Sequence, residues 1–183
     1  MKWTTVCGES PRHSTVSPMK LAGLYISKEH NFFGHHGRLP GEAPMIEMDC
    51  IECVADHGIR SDRFFDHKPN YKGQITFFSS EIFSALCDHL SVYDRSPWVL
   101  RRNVLTEGVD LNSLVGKDFE VQGVRFHGTE ECSPCYWMEK AFAVGAEAFL
   151  KGQGGLRARI LTSGRLEKDA VLGSHEDFVQ QPA

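Results

Sequence analysis

Short apolar runs alternate with polar, glycine-rich breaks along the chain, and the spacing within those runs predicts many short strands and few helices. Residues 21–26 read as a first strand. Residues 45–54 alternate, with Ile46, Met48 and Cys50 on one face and Glu47, Asp49, Ile51 and Cys53 on the other, which is strand periodicity. Residues 74–78 form a short apolar strand, and 99–106 suit another that ends at a Glu107-Gly108 turn. Residues 119–121 and 124–126 flank Gln122-Gly123, a hairpin signature. Strands over 156–161 and 165–172 complete the set. Two segments carry helical spacing instead. Ser79 or Ser80 can cap a helix running to Leu90, with Ile82, Phe83, Leu86, Cys87 and Leu90 on one side. The second helix spans 134–151, and Gly152, Gly154 and Gly155 break it.

Between these elements, residues 31–44 hold three glycines, two prolines and the His35-His36 pair and read as a long loop, as do 56–73, rich in charge, histidine and aromatics. Residues 1–18 carry no periodicity and are expected to form a loose N-terminal segment, and 174–183 an acidic, glutamine-rich tail. One domain over 19–173 follows, since domains commonly hold about 100–150 residues. The pattern predicts a mainly β, barrel-like domain with a few peripheral helices. With 41% hydrophobic residues the chain can bury one sizeable core. A net charge of -4 gives no overall attraction to nucleic acid or to an anionic membrane surface. No apolar run approaches the roughly 18 residues of a membrane span. The first residues lack the continuous apolar stretch of a secretion signal. Six cysteines in this context read as reduced thiols, which makes the cytoplasm the expected compartment.

The stretch Cys132-Ser133-Pro134-Cys135 is the most informative. Ser133 is a natural N-cap for the second helix, Pro134 suits its first position, and Cys135 then falls in the first turn. A thiol there would meet unpaired backbone N–H groups and the positive end of the helix dipole, which favours thiolate, the form that attacks electrophiles and binds metals. Glu130 and Glu131 act in the opposite sense. Two reduced structural cysteines are an equally good reading of the spacing. Cys50 and Cys53 form a second C-x-x-C pair, and four thiolates could bind zinc. However, 78 residues separate Cys53 from Cys132, and cysteines three apart in a strand point to opposite faces. A thioredoxin-like redox pair wants a βαβ context that the surrounding hairpins do not provide.

Arginines form the second cluster: Arg60 and Arg63 around Asp62, Arg101 and Arg102 beside Asn103, and Arg157 and Arg159 after the glycines. The planar guanidinium fork suits phosphate and planar hydrogen-bonding ligands, although any single arginine is an ordinary surface residue by default. Arg102 interrupts an apolar run, so strand alternation would place it on one side and Arg101 and Asn103 on the other, with at least one basic group lining the barrel interior or mouth. The nine histidines show no tight ligand spacing and read as solvated loop residues. No phosphate-binding loop, dinucleotide fingerprint or nucleophile elbow is present.

Five motifs in order resemble the MOSC family, the domain found at the C-terminus of molybdenum cofactor sulfurases and in stand-alone bacterial proteins. His57-Gly58-Ile59-Arg60-Ser61-Asp62-Arg63 is similar to its Gly-x-x-Gly-Asp-Arg segment, with Ser61 where glycine is usual. Arg101-Arg102-Asn103 and the turn through Leu111 resemble its Arg-x-Asn strand and turn. Gly116-Lys117-Asp118-Phe119 matches Gly-x-x-Phe, Glu131-Cys132-Ser133-Pro134-Cys135 with Met138-Glu139 resembles the Cys-x-Pro-Cys helix start, and 154–161 with Gly164 are similar to the closing strand. Lys168-Asp169-Ala170 departs from the usual Gly-Asp near the end. The resemblance covers residues 20–173.

That resemblance implies a mainly β, barrel-like MOSC fold carrying a reactive cysteine, here Cys135. It implies a molybdopterin form of the molybdenum cofactor, with Cys135 as the molybdenum ligand and Asp62, Arg63, Arg102, Asn103, Cys132 and Arg157 in the cofactor site. Arg63, Arg102 and Arg157 would hold the pterin's phosphate and Asn103 its heterocycle. The activity implied is reduction of N-hydroxylated compounds, with electrons from a separate partner because no nicotinamide, flavin or haem motif is visible. The alternatives are a sulfur carrier that takes a persulfide on Cys135 from a cysteine desulfurase, and a binding module with a structural metal. No pyridoxal-phosphate domain is visible in these residues, so a full-length sulfurase is not expected.

Overall fold

The computed structural model describes residues 19–31 and 41–169. The expected loose segment 1–18, the tail 174–183, most of the 31–44 loop and the end of the last strand lie outside the described residues. Ten strands and three helices follow in chain order. They are β1 (Lys20–Ile26), β2 (Ile46–Met48), β3 (Cys50–Val54), β4 (Gly58–Ile59), β5 (Ile75–Ser79), α1 (Ser80–Leu90), β6 (Val104–Glu107), β7 (Asp118–Val121), β8 (Val124–Glu131), α2 (Trp137–Ala141), α3 (Ala146–Leu150), β9 (Leu156–Ile160) and β10 (Gly164–Glu167). A seven-stranded sheet has the order β2-β1-β6-β5-β9-β8-β7, and a three-stranded sheet the order β10-β3-β4. All pairings are antiparallel except β5 with β6. The architecture is mainly β, barrel-like in the loose sense of one sheet curling over another.

The pleat of β5 divides the interior. Every residue of this strand is buried, and alternate side chains leave opposite faces of a sheet. Phe77 joins the core between the sheets, with Leu24, Ile51, Cys53, Ile59, Phe126 and Leu166. Phe78 faces the other way, into a second core where Leu86, Leu100, Met138, Phe142 and Leu150 pack the helices on the large sheet. The helices are therefore on the outer face of the large sheet.

Local chemistry accounts for the elements that match expectation. Gln122 and Gly123 take φ of 50° and 80°, the pair of positive values that a two-residue hairpin turn with right-handed twist requires. The Ser79 hydroxyl accepts from Ile82 N at 3.1 Å and caps α1.

Three expectations are corrected. Residues 45–54 are not one strand: Met48 pairs with Leu24 in the large sheet, whereas Cys50 pairs with Glu167 in the small one, and the chain changes sheets at Asp49. Residues 99–106 are not one strand either. Pro97–Leu100 is a turn of 3-10 helix, and Arg101 ends it in the left-handed region at φ 57° and ψ 39°, so β6 begins only at Val104. The 134–151 helix is two five-residue helices. Gly145 takes φ 98° between them, and the Glu139 carboxylate turns back to accept from Gly145 N at 2.7 Å and Glu147 N at 2.9 Å. Ser133 caps nothing, and Cys135 precedes α2 rather than sitting in its first turn.

Candidate functional site

The connection after β4 builds one wall of the site. Ser61 takes φ 67°, a conformation that usually requires glycine, and the turn directs Asp62 inward, where its side chain is 1% exposed. Asp62 Oδ2 accepts from Ser27 N at 3.1 Å, Arg63 Nη1 at 3.3 Å and Asn103 Nδ2 at 3.3 Å. Its Oδ1 accepts from Phe64 N at 3.1 Å. Arg63, also buried, donates to the Arg101 carbonyl at 3.2 Å, and its guanidinium carbon lies 4.8 Å from the centre of the Phe64 ring. Burial pushes the Arg63 pKa down, Asp62 counteracts it, and Arg102 adds to the depression.

Asn103 locks this wall to β5. Its Oδ1 accepts from Thr76 N at 3.1 Å and Thr76 Oγ1 at 2.8 Å, while Nδ2 donates to the Tyr25 carbonyl at 3.1 Å and to Asp62. All four hydrogen-bonding positions of the amide are then filled. Neither Asp62 nor Asn103 lines the cleft; both hold groups that do.

Arg101 and Arg102 diverge from the left-handed turn. Arg101 donates to the Ala43 carbonyl, Ser27 Oγ and the Glu29 carbonyl, each at 2.9 Å. Burial, with Arg63 close by, pushes its pKa down to about 10. Arg102 donates to the carbonyls of Gly154 at 3.1 Å, Leu100 at 2.8 Å and Cys132 at 3.1 Å. It thereby ties the 3-10 turn to the segment that carries the two cysteines.

That segment continues β8 alongside β9. Cys132 N donates to the Gly155 carbonyl at 2.7 Å, and Gly154 lies close against this segment. A Cβ there would collide with the Cys132 carbonyl oxygen and sit 3.1 Å from Pro134 Cδ. Cys132 is buried and Cys135 exposed, both as free thiols. Arg157, on β9, interacts electrostatically with the Cys132 thiol, and its Nη1 lies 3.6 Å from Glu130 Oε1. Burial opposes the Arg157 charge, but Cys132, Tyr71 and Glu130 outweigh it and its pKa is raised. Its buried Nε has no partner among the described residues.

These segments enclose a cleft of about 200 Å³ lined by Arg63, Arg101, Arg102 and Arg157, by both thiols, and by the aromatic residues His30, Phe64, Tyr71 and Trp137. Among the described residues no carboxylate lines it. Of the residues singled out in the sequence, Arg63, Arg102, Cys132, Cys135 and Arg157 meet here, with Asp62 and Asn103 behind them. With no helix end at Cys135, its electropositive surroundings come from guanidinium groups instead. A larger groove of about 440 Å³ at the start of α1 contains no thiol, and its Glu81 carboxylate is held by Ser79 and Gly108 N. The four-cysteine zinc site does not form: Cys50 and Cys53 lie on β3, and no group of three or more His, Cys, Asp or Glu among the described residues could hold a metal ion. Sequence reading missed the aromatic wall. The cluster of aromatics in 56–73 was the available signal, but nothing local said which way it faced.

Comparison with known proteins agrees with this arrangement. The fold is similar to that of the YUAD protein from Bacillus subtilis, with a TM-score of 0.64 at 20% identity over 82% of this chain and 91% of that one. YiiM from Geobacillus stearothermophilus has a TM-score of 0.59 at 14% identity, covering 82% and 71% of the two chains. YiiM from Escherichia coli has a TM-score of 0.56 at 14% identity, covering 82% and 66%. At such identities the likeness concerns the fold alone. No curated protein matches the chain significantly. No helix among the described residues is long and apolar enough to cross a membrane. The model of the MOSC domain matches residues 65–173, more than half of the sequence and most of the cleft's lining, so the chain belongs to the MOSC domain family.

Proposed function

We propose that the cleft binds a molybdopterin-type molybdenum cofactor and that the protein is a cytosolic reductase of N-hydroxylated compounds, with Cys135 as the thiolate ligand of the metal. The observation that carries the reading is an exposed thiol on a cleft lined, among the described residues, by four arginines and no carboxylate. The residues present fit such a group. A thiolate is a soft ligand suited to a transition metal, and guanidinium forks match the geometry of phosphate oxygens. Arg157 Nε, buried, is a donor for which the described residues provide no acceptor. Arg63, Arg102 and Arg157 would hold the anionic end of the cofactor beside Cys132, while Asp62 and Asn103 position Arg63. When bound, the cofactor supplies the two-electron chemistry. The chain contributes orientation and a positive potential, and electrons come from a separate protein.

Expression in a host that makes the cofactor should give molybdenum and an oxidisable fluorescent pterin in near-equal amounts, with the metal lost in Cys135→Ala. Wild-type protein free of pterin under those conditions would end this reading. The exposure of Cys135 also favours a second one, a persulfide carrier loaded by a cysteine desulfurase. In that case labelled cysteine plus desulfurase leaves reducible label on Cys135, and a readily alkylated Cys135 that takes up no label excludes it.

A further inference from the structure

Most polar groups lining the cleft are already engaged by the protein. Arg63, Arg101 and Arg102 donate to fixed acceptors. The Thr76 hydroxyl donates to Asn103 Oδ1 and accepts from Asn103 N at 3.0 Å. The Tyr71 hydroxyl is different: among the described residues it makes no hydrogen bond, although Tyr71 lines the cleft.

The ring that carries this hydroxyl is held in a stack. Phe64 lies 5.2 Å from it at an interplanar angle of 29°, and Lys68 Nζ stands 5.4 Å from its centre. The His67 ring lies 4.7 Å away, tilted. Phe64 is in turn covered by Arg63. Phe64 and Tyr71 thus engage each other and the cations of Arg63 and Lys68. The Tyr71 hydroxyl is left uncommitted. Gly73 leaves room for that group, since a Cβ at this position would lie 3.3 Å from both Tyr71 Cζ and its hydroxyl oxygen. After burial itself, the Arg157 charge is the strongest influence on the phenol, and it acts in the opposite sense. Burial raises the Tyr71 pKa despite that positive charge, so the hydroxyl keeps its proton at neutral pH. A rigid ring with an unused O–H on a cleft is a donor site for an oxygen atom.

We propose that Tyr71 is the substrate-recognition residue of this cleft, and that its hydroxyl donates a hydrogen bond to the oxygen of the substrate's N–O group. This rests on the reductase reading above for the identity of the substrate. It adds the residue that distinguishes an N-hydroxylated compound from its reduced counterpart. A site built to bond an oxygen rejects the analogue that lacks it, because its donors are left unpaired.

The test uses full-length protein purified from the cofactor-competent host, whether or not pterin is found in it. Benzohydroxamic acid and benzamide are both uncharged near neutral pH and differ by one oxygen, and their binding can be measured by calorimetry. Wild type should prefer the hydroxamic acid by a factor of roughly 3 to 10, the contribution of one neutral hydrogen bond. Tyr71→Phe keeps the ring stack and removes only the donor. It should reduce the preference to less than about twofold while leaving benzamide binding and the thermal midpoint unchanged. A preference that survives in Tyr71→Phe, or a wild type that binds the two equally or neither, overturns the proposal. The cofactor assay and this one fail separately: Tyr71-dependent recognition without pterin would remove the cofactor reading alone, and pterin without Tyr71 dependence would remove this one.

Discussion

Replacing Asp62 with alanine tests whether the wall behind the cleft is held as described. The substitution leaves four donors without their acceptor: Ser27 N, Phe64 N, Asn103 Nδ2 and the Arg63 guanidinium. Ser27 is fully buried and the Arg63 side chain is 7% exposed, so water does not readily take the place of the carboxylate. Removing one partner of a buried ion pair costs about 3–5 kcal/mol, because the other charge stays buried and uncompensated. Each stranded backbone N–H adds about 1–3 kcal/mol. The effects overlap, since all four donors converge on one carboxylate and relax together, and Arg63 keeps its bond to the Arg101 carbonyl. A total of about 4–6 kcal/mol is the reasoned figure, against an overall stability of about 5–15 kcal/mol for a domain.

Urea unfolding followed by tryptophan fluorescence should show Asp62→Ala with a much lower midpoint and an unchanged slope, as expected for lost native-state energy. The double variant Asp62→Ala with Arg63→Met removes the buried charge as well and should recover about half of the loss. If Asp62→Ala costs less than about 1 kcal/mol, the carboxylate is not the point on which these donors depend. If the double variant recovers nothing, the charge of Arg63 is not what makes the loss large.

Ser61→Gly should stabilise the protein by a few tenths to about 1 kcal/mol, because relief of the left-handed strain slightly exceeds the added freedom of the unfolded chain; a lowered thermal midpoint would contradict it. Iodoacetamide at about pH 8 should label Cys135, which is exposed, and spare Cys53, whose thiol burial pushes up to about 12; native-state labelling of Cys53 seen by peptide mass mapping would show that β3 is not packed as described. Inorganic phosphate at ten times its Kd should stabilise the fold by about 1.4 kcal/mol relative to chloride at equal ionic strength, and Arg157→Leu should reduce the effect, so a thermal shift insensitive to the anion would count against an anion-binding cleft.

The parts of the fold that could be read from the sequence are those decided within a few residues. The Gln122-Gly123 turn and the Ser79 cap each depend on neighbours close in the chain, and both occur where the pattern put them. What escaped was decided at a distance. Periodicity of two runs through 45–54 without interruption, yet it cannot report that Met48 and Cys50 take partners in different sheets. Residues 134–151 have good helical composition, but Glu139 provides acceptors for Gly145 N and Glu147 N and makes a break there stable.

The same distinction governs the cleft. The residue types were legible, whereas the strand alternation used to orient Arg101, Arg102 and Asn103 had no strand to act on. Their directions are set by acceptors far away in sequence: Asn103 finds Thr76 and Tyr25, and Arg102 reaches Gly154 and Cys132. The kind of acceptor matters as much as its position. Arg101 and Arg102 are held almost wholly by main-chain carbonyls, which fix a guanidinium without cancelling its charge. Only Arg63 has a carboxylate within hydrogen-bond distance, and Glu130 stands farther from Arg157 at 3.6 Å. Rigid orientation and residual positive charge are thus obtained together, and that combination is what a cleft needs if it is to bind an anion beside a reactive thiol without collapsing around it.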